Sequence, residues 1–193
     1  MELNQRTEEE KLVRSKKMML WFGIISLSMM FAGLTSAYIV SKERKDWLTH
    51  FELPQAFYIS TAIILASSVT MHLAKMFVRK EKSSLGSAFL LITLALGSVF
   101  VWLQFVGFGE IIDQGYYPTG GQSTVTTSFI YVFVFSHIVH IAAGIIVLAV
   151  LLAKQLMGKY KNGQTLGVEL GATFWHFVDF LWLYLLIFLM YFR

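Results

Sequence analysis

Near its end the chain carries Trp175, His176, Asp179 and Trp182 within an otherwise apolar run. At about 100° per residue, these four fall on one helical stripe about 120° wide. A lone charged aspartate deep in an apolar helix costs about 2.5–3.5 kcal/mol on insertion scales. Asp179 is therefore expected to face protein, with a partner or with a bound proton. His176 lies one turn away and is positioned to help satisfy it.

A second polar group precedes this one. His137 and His140, with Ser136 and Gly144, fall within roughly a quarter of a helix circumference. Two histidines three apart can share a metal, or each can bond to a neighbouring helix. They cannot both ligate one haem, because the two axial ligands approach from opposite faces of the ring. His50 falls in a loop and His72 near the opposite surface, so neither adds a deep ligand. Gln104 sits mid-to-late in another apolar run, and Glu110 ends that run at the level of lipid headgroups. The residues by themselves leave three chemistries open: a hydrogen-bonded clamp joining the fourth and fifth apolar segments, a proton or ion path, and metal or haem ligation.

Composition narrows the setting. Of the 193 residues 56% are hydrophobic and only 15% charged, with the charges gathered between long apolar runs. Soluble domains carry about 25% charge, and this pattern in water would expose large sticky surfaces. There are no cysteines, which removes disulfides, iron–sulfur clusters, thiolate zinc sites and covalent c-type haem. The first residues do not read as a cleaved signal peptide, because the apolar run follows a charged arm and is too long.

A membrane-spanning helix needs about 20 apolar residues. Five segments meet that length: 18–40, 54–78, 85–109, 127–153 and 171–192. Helices satisfy their own backbone in lipid, so all five are expected to be helical. The fold class read here is an all-α membrane protein, with a polar N-terminal arm at 1–17 and a five-helix transmembrane domain at 18–193. Pro54 suits a first helical turn. Twelve lysines and arginines fall on one side of these spans and four (Lys42, Arg44, Lys45, Arg193) on the other. That bias places the N-terminus in the cytoplasm and the C-terminus in the periplasm. The third loop has no lysine or arginine, and its segment 115–121 is expected to turn. Small residues on the first span (Ala32, Gly33, Ser36, Ala37) and on the second (Ala62, Ala66, Thr70) have the spacing of close helix packing. The arm is either helical or disordered, and no internal repeat suggests an inverted-repeat transporter.

The segment from Phe174 to Leu183 resembles the pattern (Y/F)-W-H-F-V-D-x-x-W-(L/I/V) of haem-copper oxidase subunit III. His137 and His140 with Gly144 resemble that family's H-x-x-H-x-x-x-G in the preceding helix. Gln104 and Glu110 resemble its Q-x-x-x-x-x-E, and Glu169 falls where the family has a glutamate before the last helix. The similarity runs over all five spans.

The resemblance implies a subunit without redox cofactor that packs against a catalytic subunit I, with subunit II alongside. That partner would hold the haems and copper, and would reduce oxygen to water while pumping protons. The present chain would support its stability and proton uptake. Its expected setting is the inner membrane of a bacterium, within aerobic electron transport. Gln104, Glu110, His137, His140, Glu169, Trp175, His176 and Asp179 would serve as a structural polar clamp or as contacts to subunits and lipid.

The chain looks like the short, five-helix form of the family. Long members add two helices that border a lipid cleft, so lipid in that cleft is expected here only if another subunit replaces them. Phospholipid and other membrane lipids remain candidate ligands. Many members carry a glutamate in the first matching span, where this sequence has Ser26-Leu27-Ser28, and its role does not carry over. Within the family the alternatives are a quinol oxidase subunit III and a nitric oxide reductase accessory protein. Outside it they are a stand-alone transporter and a di-haem cytochrome.

Overall fold

The computed structural model describes residues 2–45, 47–48, 52–120, 123–160 and 165–192. His50, Gly121, Lys161 and Arg193 lie outside the described residues. Five helices make up the fold: α1 (Glu2–Val40), α2 (Gln55–Arg79), α3 (Ser83–Asp113), α4 (Val125–Leu156) and α5 (Leu166–Phe192). A single 3₁₀ turn, Ser41–Glu43, follows α1, and the described residues include no strand. Each of the five is long and apolar enough to cross a membrane. Even the shortest, α2 with 25 residues, reaches about 37 Å at 1.5 Å per residue, which exceeds a hydrocarbon core of about 30 Å.

The helices outrun the apolar segments that announce them. The polar arm is helical and fuses with the first span into one 39-residue helix. Its residues are mostly strong helix formers, and Lys11 pairs with Glu8 at 2.8 Å across one turn. Pro54 sits one position before α2, as its N-cap. α4 begins with a capping box in which Thr124 and Thr127 exchange side-chain and backbone bonds. In the third loop Gly115 and Gly120 take the left-handed conformation that the expected turns need. That loop is tied down by the start of α4, where Ser128 donates to the Pro118 carbonyl at 3.1 Å.

α2 and α3 form an antiparallel hairpin, α4 packs on α3, and α5 closes the ring by packing on both α4 and α2. α1 lies outside that ring, against α5 and α4. The core is aromatic: Phe57, Phe100, Phe133, Trp175 and Trp182 are fully buried. The outer surface is apolar as well, with Trp102, Phe105, Ile146 and Phe180 more than half exposed. Lipid is the medium in which such a surface is at rest.

One packing expectation fails within this chain. Ala32, Gly33, Ser36 and Ala37 all face outward on α1, and a side chain built at Gly33 would meet nothing. α1 packs instead through Ile24, Phe31, Thr35 and Tyr38, because large rings fill the α4–α5 groove better than a flat strip does. Ala62 and Ala66 of α2 also point outward, whereas Thr70 turns inward to meet Thr93 of α3 at 2.8 Å.

Candidate functional site

The polar residues of α5 meet mainly α2. Trp182 and Trp175 are seven residues apart, two helical turns, and so share a face. On α2 the hydroxyl pairs Ser60–Thr61 and Ser67–Ser68 repeat at the same interval. The two helices run antiparallel, so the repeats come into register. Trp182 donates its indole N–H to Thr61 Oγ1 at 2.9 Å. Trp175 donates to Ser67 Oγ at 3.1 Å. Ser68 Oγ and His176 Nδ1 are 2.6 Å apart. Gln104 extends the network from α3, donating to Ser60 Oγ at 2.8 Å from a fully buried position. α2 is thus the hub, and its hydroxyls take up donors that hydrocarbon cannot satisfy.

Trp175 is held by shape as well as by its bond. A Cβ at Gly97 of α3 would stand 2.7 Å from its ring, and one at Gly144 of α4 would stand 3.0 Å away. The two glycines form a socket that lets a large ring lie between three helices.

His137 and His140 take different neighbours. His137 is fully buried between Phe100 and Trp182. Its Nε2 lies 3.1 Å from the Val178 carbonyl of α5, so this residue joins the fourth and fifth helices. His140 is half-buried, bonds the Ser136 carbonyl of its own helix at 2.6 Å, and meets Phe31 of α1 edge-on. His140 makes no hydrogen bond to Asp179 or Glu169 among the described residues. The i−4 carbonyl is closer than either acid.

Asp179 is only 2% exposed, and neither carboxyl oxygen makes a hydrogen bond among the described residues. The Ser68 hydroxyl lies beside it but makes its short contact with His176. His176 therefore does not satisfy Asp179, as the one-turn spacing had suggested. Glu169 accepts from Arg79 at 2.9 Å and from Thr165 at 3.2 Å, which fastens the start of α5 to the end of α2. Glu110 is half-buried at the end of α3. Among the described residues no group of three or more His, Cys, Asp or Glu side chains is placed to hold a metal ion.

The sequence reading passed over Ser60, Thr61, Ser67, Ser68, Arg79 and Gly97. The legible signal was the seven-residue repeat of hydroxyl pairs on an apolar helix, matched by the seven-residue spacing of the tryptophans.

The sequence model of the family "Cytochrome c oxidase subunit III" matches residues 46–193. The chain is 30% identical to "Cytochrome c oxidase subunit 3" of Thermostichus vulcanus, over 84% of this chain and 80% of that protein. It is 29% identical to "Cytochrome bo(3) ubiquinol oxidase subunit 3" of Pseudomonas aeruginosa, over 84% and 78%. It is 27% identical to "Probable quinol oxidase subunit 3" of Staphylococcus saprophyticus, over 95% and 90%. With five helices of spanning length and bacterial relatives of this kind, the chain is a multi-pass protein of the bacterial inner membrane. Its match over most of its length, together with the α5 motif that organises its core, means that the chain belongs to the cytochrome c oxidase subunit III family.

Proposed function

We propose that this chain is the cofactor-free subunit III of a haem-copper terminal oxidase, a scaffold that supports the stability and proton uptake of a catalytic subunit I. The observation that carries this reading is how the α5 motif is used. Trp175, His176 and Trp182 each bond α2, and His137 bonds α5, so these groups act on neighbouring helices. Gln104, Glu110, His140, Glu169 and Asp179 belong to the same proposal, as further members of the clamp or as contacts to subunits and lipid. The haems and copper belong to the catalytic partner, with subunit II alongside. The charge bias supports a cytoplasmic side for the N-terminal arm and the α2–α3 and α4–α5 loops.

The relatives carry both cytochrome c and quinol oxidase names, so quinol oxidase is a second reading supported by a specific observation. The electron donor is set by other subunits. The test is purification of the tagged chain from native membranes in mild detergent, with identification of everything retained. Recovery of a haem-copper catalytic subunit is expected, and the class of that subunit separates oxygen reduction from nitric oxide reduction. A chain that purifies alone and carries solute flux in liposomes would overturn the scaffold reading.

A further inference from the structure

The outward faces of the helices are not alike. α3 presents Leu91, Ile92, Val99, Trp102 and Phe105 to its surroundings, and its exposed Ser98 is satisfied by the Leu94 carbonyl of its own helix. The seam between α2 and α5 presents His72, exposed, with Lys75 and His176, each half-buried. The two imidazole rings are 6.4 Å apart, and Lys75 lies close enough to act on His176. Ser68 occupies Nδ1 of His176. Among the described residues, Lys75 and the two nitrogens of His72 have no hydrogen-bond or ion-pair partner.

Depth makes this patch unusual. Arg79 and Glu169 pair at 2.9 Å at the end of α2 and the start of α5, and the cost of charge in hydrocarbon argues that such a pair marks the headgroup region. His72 lies seven residues before that end of α2, about 10 Å at 1.5 Å per residue, and so further in than the near-surface position expected from the sequence. A lysine at such a depth can snorkel to the surface, but the short imidazoles cannot. Hydrocarbon offers them no acceptor, and exposed polar groups at membrane depth face protein as a rule. Glu169 is already taken by Arg79 and Asp179 is buried inside the bundle, so the outward side of the seam presents basic groups with no acid facing them and complements an acid.

Building on the subunit reading above, we infer that the α2–α5 seam at His72, Lys75 and His176 is the surface on which a transmembrane helix of a neighbouring oxidase subunit packs, presenting a carboxylate at that depth. A phospholipid phosphate has the right charge but sits near Arg79, above the imidazoles. The apolar α3 face has no comparable demand and meets lipid.

The test places a benzophenone amino acid at Val69, which is exposed one turn from His72 on the same seam, and separately at Trp102 on α3, in the intact complex. Irradiation at position 69 is expected to give an adduct with a membrane helix of another subunit that carries Asp or Glu nearby, whereas position 102 gives phospholipid adducts. His72→Leu and Lys75→Leu should each lower retention of this chain in the purified complex by about threefold or more, and Phe105→Leu should not. Phospholipid adducts at position 69, or a protein adduct on a helix without an acid, overturn the assignment while the complex itself remains intact. Failure of any oxidase subunit to copurify would overturn the subunit reading first, and this inference with it.

Discussion

Trp175 and Ser67 meet at 3.1 Å in the middle of the bundle, and the tryptophan reaches that serine only because Gly97 and Gly144 leave room for its ring. Gly97→Val or Gly144→Val must displace the indole or a neighbouring helix. Overpacking of this kind typically costs about 1–3 kcal/mol. Thermal unfolding of the purified chain in detergent, followed by tryptophan fluorescence, should show both variants destabilised. Gly33→Val, on the outward face of α1, should leave the midpoint unchanged. Equal loss at all three positions would remove the socket.

The bond from Trp182 to Thr61 lies one heptad along the same seam. A double-mutant cycle with Trp182→Phe and Thr61→Val isolates that bond. In membrane proteins such couplings average about 0.6 kcal/mol and reach about 1.7. Burial of both partners argues for the upper half of that range. A coupling indistinguishable from zero would show that the indole finds another acceptor when Thr61 is removed.

Much of this fold is open to a reader of the sequence, and the reason is physical. Lipid demands long, uninterrupted apolar helices, so the five spans show as hydropathy alone. Helix ends are harder, since Glu, Lys and Arg in the arm favour helix as strongly as an apolar span does. In the candidate site, Trp175, His176 and Asp179 stand out because polar groups are costly in lipid. Their partners do not, because serines and threonines bond their own helix backbone cheaply, as Ser60 also does with the Phe57 carbonyl. Direction is the other hidden quantity. The small residues of α1 have packing spacing, yet the rings at Phe31 and Tyr38 decide which face turns inward.

Outside the spans, Tyr160 is buried against Gly167, and its hydroxyl has no hydrogen-bond partner among the described residues. Burial raises its pKa above the ordinary 10.0. The folded state therefore holds this proton more tightly than the unfolded chain does. The resulting stability is fully present below pH 10 and is lost as pH rises through the folded value. Tyr160→Phe removes a buried hydroxyl with no partner among the described residues, so at pH 8 it should be neutral or slightly stabilising. Between pH 9 and 11 the variant's unfolding midpoint should fall less steeply than that of the parent. Parallel curves would show that the loop opens before the phenol titrates.

Asp179 and His176 separate a structural role from a chemical one. His176 bonds α2 through Ser68, and Asp179 is buried with both oxygens unpartnered among the described residues, so each is placed to affect how the bundle and its complex hold together. Asp179→Asn keeps size but removes charge, and His176→Ala removes the link to α2. Under the scaffold reading both should reduce the fraction of this chain retained with the catalytic subunit, by more than they reduce turnover per intact complex. The measurement is subunit stoichiometry after detergent extraction, alongside oxygen consumption normalised to haem. Retention at the parent level with turnover lost in Asp179→Asn would assign the carboxyl to proton transfer. A loss of stoichiometry in which each intact complex still turns over places both residues in the clamp, because a group that only moved protons would leave assembly untouched.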